Sequence, residues 1–165
     1  MHKYITMVGR SYWATLNSLW AVLKKDLYEP ENVILLSEEN FKERTESLKD
    51  DIEILLEGYG FEPSVEIKLM ENADFYHAGE EVLELVDEGE DSVALDITSG
   101  RKSLVAGALV NPGAHKLKHV FYLYLDEIKD ADRPYPSIDS DRMMIKDFVD
   151  IFRKYEDESF ERRDI

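Results

Sequence analysis

The chain has 165 residues, 44% of them hydrophobic and 11% aromatic, which suffices to bury one core and rules out a disordered polymer. A net charge of −16 opposes binding to duplex DNA or long RNA, and the lack of cysteine removes disulfides, a thiolate nucleophile and a zinc finger. No apolar run is long enough to span a membrane, and Met1-His2-Lys3-Tyr4 leads directly into a strand-like run, so the expected setting is the cytoplasm.

Strand and helix alternate along the chain. Lys3–Val8 reads as a strand, followed by Trp13, Leu16, Leu19, Trp20 and Leu23 at helical spacing. Asn32–Leu36 is a short buried strand. The next helix carries Phe41, Leu48, Ile52, Leu55 and Leu56 on one face and stops at Gly58-Tyr59-Gly60. Ser64–Leu69 alternates as a half-exposed strand does, and a third helix spans about Asp74–Glu88. Ser92–Ile97 is the fourth strand, Arg101–Val110 the fourth helix, and His119–Leu125 a fifth strand, apolar on both faces and therefore central. Beyond Asp126 the rhythm breaks into a Pro-rich loop or edge segment at residues 130–136. A final helix is expected from about Ser140, with Met144, Phe148, Ile151, Phe152 and Tyr155 as its stripe, covering the sheet or meeting a second copy. The repeated unit implies a doubly wound three-layer α/β fold with a mainly parallel sheet and an added C-terminal helix. Residues 1–156 are expected as one domain and 157–165 as a flexible tail.

Two stretches, 1–25 and 97–125, contain no Asp or Glu, although an even spread would put about a dozen there. They hold Lys3, Arg10, Lys24, Lys25, Arg101, Lys102, Lys116 and Lys118, a net +8 against −24 for the rest. Core character accounts for missing acids; the retained cations point to an anionic ligand. Gly9-Arg10-Ser11 follows the first strand and Thr98-Ser99-Gly100-Arg101-Lys102 the fourth. Right-handed winding makes those strands neighbours, so the two turns should converge where helix N-termini present free amides. The hydroxyls of Ser11, Thr98 and Ser99, the small residues Gly9 and Gly100, and the cations Arg10 and Lys102 suit phosphate.

Standard nucleotide motifs do not fit. Gly100-Arg101-Lys102-Ser103 lacks the earlier glycine of a Walker A loop. The first strand is not followed by GxGxxG, and with Ser37 read as the end of the second strand a dinucleotide site is not expected. His115 and His119 straddle a loop-to-strand junction, so their spacing does not make a metal site. Asp96 reads as a catalytic acid or, the commoner fate of a buried acid at a strand end, as a partner of a loop amide. Tyr12 and Trp13 read as base-stacking groups or as core.

Asp96-Ile97-Thr98-Ser99-Gly100-Arg101-Lys102-Ser103, followed by Ala106-Gly107-Ala108, resembles the D-x-T-G-G-T-K motif and small-residue helix of CRISPR-associated Rossmann-fold (CARF) domains. Gly9-Arg10-Ser11 after the opening strand is similar to that family's first loop, and the resemblance covers about residues 1–125. Ser99 stands where the family usually has Gly, and Arg101 where Thr is common. The resemblance implies a Rossmann-like fold and a homodimer whose paired turns bind a cyclic oligoadenylate, most often the tetra-adenylate of type III CRISPR systems. It implies a stand-alone ring nuclease that cuts the ligand slowly, with no metal or other cofactor, by in-line attack of a ribose 2′-OH. Lys102 and Ser11 are then the catalytic candidates, and Gly9, Arg10, Tyr12, Thr98, Ser99, Gly100 and Arg101 the ligand-binding ones. A non-catalytic sensor, or a regulatory adaptor acting through a partner protein, is the alternative.

Overall fold

Apolar side chains occupy both faces of the inner strands, so their sequences read as unbroken runs rather than as an alternation. A computed structural model describes residues 1–62, 64–70, 73–87 and 92–161. Its strands β1 (His2–Met7), β2 (Asn32–Glu38), β3 (Ser64–Met70), β4 (Ser92–Asp96), β5 (His119–Leu125) and β6 (Met143–Asp147) form a sheet in the order β3-β2-β1-β4-β5-β6. β1 to β5 run parallel, and β6 is antiparallel to β5. The helices are α1 (Tyr12–Lys24), α2 (Lys42–Gly58), α3 (Phe75–Asp87), α4 (Lys102–Val110) and α5 (Phe148–Glu161). The protein is a Rossmann-like α/β fold, as the strand–helix rhythm implies. No helix of the described residues is long and apolar enough to cross a membrane.

Alternate residues of each strand feed two core clusters. Tyr4, Val33, Leu35, Ala94, Phe121 and Leu123 meet Leu16 and Leu19 of α1 and Leu48 and Ile52 of α2 on one face. Ile5, Met7, Ile34, Leu36, Val93 and Leu95 meet Ala78 and Val82 of α3 and Leu104 and Ala108 of α4 on the other. Packing α3 on α4 requires Gly107, since a Cβ there would lie 1.9 Å from the carbonyl oxygen of Phe75.

Three expectations are corrected. Residues 143–147, placed on the last helix by its stripe, form the edge strand β6. The exposed ladder of β5 takes a hydrogen-bonding partner there, and Met143 and Ile145 reach the α1-side core. The helix begins only at Phe148, where the Asp147 carboxylate accepts from Val149 N at 3.1 Å. It covers the sheet through Phe148 and Val149 and leaves Phe152 and Tyr155 exposed. The segment expected as a tail continues this helix to Glu161. Lastly, β2 ends at Glu38 rather than Ser37, so an acid does close the second strand. Glu88 and residues 162–165 lie outside the described residues.

Candidate functional site

β1 and β4 are hydrogen-bonded neighbours, with Thr6 opposite Asp96, and their outgoing turns touch. The amide of Gly9 donates to Ser99 Oγ at 3.0 Å, and that hydroxyl donates to the carbonyl of Ser11 at 3.2 Å. The approach depends on glycine: a Cβ on Gly9 would fall 1.8 Å from the Ser99 carbonyl oxygen. The turns expected to converge are therefore in contact.

Each turn runs into a helix. Ser11 caps α1, accepting from Ala14 N at 3.2 Å, and donates its own proton to the carbonyl of Ala131 at 3.2 Å. α4 starts after extended Arg101 without a side-chain cap, and the first turns of both helices lack acidic residues. The opening amides of α4 and its positive dipole end are thus left for an outside acceptor.

Beneath the turns, Asp96 is fully buried. It accepts from Thr6 Oγ1 at 2.9 Å, Ser18 Oγ at 2.9 Å, Thr98 N at 3.0 Å and Thr98 Oγ1 at 2.6 Å. Burial pushes its carboxyl above the ordinary value, while the bonds from Thr98, Thr6 and Ser18 pull the other way. Thr98 Oγ1 also accepts from Leu123 N at 2.9 Å, which ties the β4 turn to β5. Asp96 is the post on which the turn is built, the structural of its two readings.

The charged side chains divide. Arg10 and Lys102 are exposed and make no ion pair among the described residues. Arg101 is spoken for: its Nε lies 2.7 Å from buried Glu38, and its guanidinium donates to the carbonyl of Ala73 at 2.8 Å. Tyr12 donates its hydroxyl to Asp51 on α2; burial and that carboxylate push its phenol well up. Trp13 packs against the α1-side core. Two residues near the turns are invisible to motif reading. Arg44 of α2 donates to the Arg10 carbonyl and lies over the Phe41 ring, bringing a third cation to the rim. Asn17 is buried and pins the segment after β5, donating to Arg133 O at 2.8 Å and accepting from Tyr135 N at 2.8 Å. Only the packing of α2 and of residues 128–137 along α1 brings them close.

Among the described residues, no group of three His, Asp or Glu is arranged to hold a metal. The two histidines singled out are each engaged, His115 with the Pro112 carbonyl at 2.7 Å and His119 with Asp147 at 2.6 Å. Sizeable cavities lie away from the turns, such as one of about 570 Å³ between Trp20, Leu55, Tyr59 and Tyr135. On one chain the paired turns form a shelf at the carboxyl edge of the sheet, where open α/β sheets receive ligands.

Compared with protein-family models and with curated proteins, the chain matches none. Fold and geometry together define a Rossmann-like α/β protein with two touching turns, an uncapped helix start and, among the described residues, cations without an ion pair at the carboxyl edge of its sheet.

Proposed function

We propose that two copies of this chain bind one cyclic oligoadenylate, cyclic tetra-adenylate in the first instance, between their paired turns and cut it slowly, ending a type III CRISPR signal. The observation that carries this reading is the Gly9–Ser99 contact, which sets the turn bearing Arg10 against the turn bearing Lys102 at the uncapped start of α4. Helix amides and two cations are a phosphate's chemistry. A two-fold pair of shelves matches a ring of even symmetry and doubles the local positive charge in an otherwise acidic protein.

Cleavage in this reading needs no metal. A ribose 2′-oxygen attacks the adjacent phosphorus, the O2′–P bond forms as the P–O5′ bond breaks, and the 2′ proton ends on the departing 5′ oxygen. The products are linear di-adenylates with 2′,3′-cyclic phosphate ends. Lys102 stabilises the charge that grows on phosphorus oxygens, and Arg10 with the α4 amides fixes the phosphate in line. Ser11 contacts the ribose by turning its hydroxyl from Ala131. Gly9, Gly100, Thr98 and Ser99 shape the turns, Arg101 braces them on Glu38, and Tyr12 anchors α1 to α2. A second reading, a sensor that holds the ring uncut, is favoured by the engagement of Ser11's hydroxyl in two bonds.

A chromatographic time course in EDTA separates the two. Wild type should shorten the ring, and Lys102→Ala should slow cleavage by about a hundredfold while weakening binding far less. A ring recovered intact after long incubation rejects cleavage and leaves the sensor.

A further inference from the structure

From β5's last residues we infer that Tyr124 is a stacking platform for a nucleobase of the bound ring, an assignment that rests on the functional reading above and names how the ligand's base is held. β5 continues beside the β4 turn, since Ile97 N bonds Phe121 O at 3.0 Å and Leu123 N bonds Thr98 Oγ1 at 2.9 Å. Tyr124 is the next residue. Leu123 and Leu125 point into the α1-side core, so Tyr124 stands on the other face, the side on which α4 begins. Neighbouring strands lie about 4.8 Å apart, so the Tyr124 backbone is about one strand spacing from the turn that would hold phosphate.

Among the described residues, that part of the sheet lacks the helix cover a doubly wound fold normally provides. α5 closes over Tyr122, whose ring stacks on Phe148 at 6.0 Å. Tyr124 and its cross-strand partner Met144 remain 43% and 54% exposed. Lys146 lies 5.0 Å from the centre of the Tyr124 ring. A flat, part-exposed aromatic ring beside a thioether suits a purine face, which stacks on aromatics regardless of base identity. Asp126, exposed just past the strand end, repels phosphate from that side, so the base rather than the backbone of the ring meets Tyr124.

Calorimetric titration of cyclic tetra-adenylate into wild type, Tyr124→Phe, Tyr124→Leu and Lys102→Ala tests this. Tyr124→Phe should bind within about twofold of wild type, and Tyr124→Leu about five- to a hundredfold more weakly, with unchanged far-ultraviolet circular dichroism. Wild-type binding that is unaltered in Tyr124→Leu overturns the platform alone; equal loss in Tyr124→Phe overturns stacking in favour of the hydroxyl. No binding by wild type overturns the functional reading and the platform with it. Should Tyr124→Leu misfold, a ring carrying 8-azidoadenine and irradiated on wild type should label the peptide holding Tyr124, and labelling confined elsewhere overturns the assignment.

Discussion

A methyl group on Gly9 has nowhere to go. Its Cβ would meet backbone, the Ser99 carbonyl at 1.8 Å, so the two turns must separate to admit it. Gly100 is more forgiving, because a Cβ there would meet side-chain rather than backbone atoms, Val105 Cγ2 at 2.9 Å and Met7 Cβ and Sδ at 3.0 Å. Gly9→Ala should therefore cost about 1–3 kcal/mol in denaturant unfolding and abolish ring binding by calorimetry, with Gly100→Ala milder in both. Equal and small effects would mean that the contact is not what positions the cations. At the same scale, Asp96 acts from beneath the turns: its bonds to Thr6, Ser18 and Thr98 set the backbone from which Ser99 and Lys102 project.

At the scale of elements, the junction of β6 and α5 hangs on one side chain. Asp147 accepts from His119, from Val120 N at 3.1 Å and from Val149 N at 3.1 Å, joining the edge strand, β5 and the last helix. Burial acts to raise its carboxyl, but those bonds outweigh it and hold the group below its ordinary value. The carboxylate's contribution is therefore complete above the unfolded value of about 3.8 and is lost as pH falls through the lower folded value. Asp147→Ala should cost about 2 kcal/mol near neutral pH, with the gap to wild type closing in acid; a gap independent of pH would contradict this role. The same junction marks the limit of what periodicity reveals. β1, β2, β4 and β5 are legible because burial on two faces writes continuous apolar runs. Met143–Asp147 is not, because Met144 and Phe148 fit a helical stripe equally well, and its strand state depends on the open edge of β5. In the site, Gly9 meeting Ser99 is legible from strand adjacency alone. The pairing of Arg101 with Glu38, the approach of Arg44 and the capture of Ser11 by Ala131 depend on distant packing that spacing does not record.

On the scale of the molecule, a net charge of −16 and two acid-free stretches are reconciled by placement. The basic turns sit together at the carboxyl edge of the sheet, while the acids populate the remaining surface and discourage long nucleic acids. In the proposed reading, a small anionic ring would escape that repulsion by being held locally, between copies whose shelves face each other. The most direct measurement of this account is the stoichiometry of cyclic tetra-adenylate binding by calorimetry, with the mass of the complex read by light scattering. The account predicts one ring per two chains, lost on Gly9→Ala. One ring per single chain, or no binding at all, would contradict it.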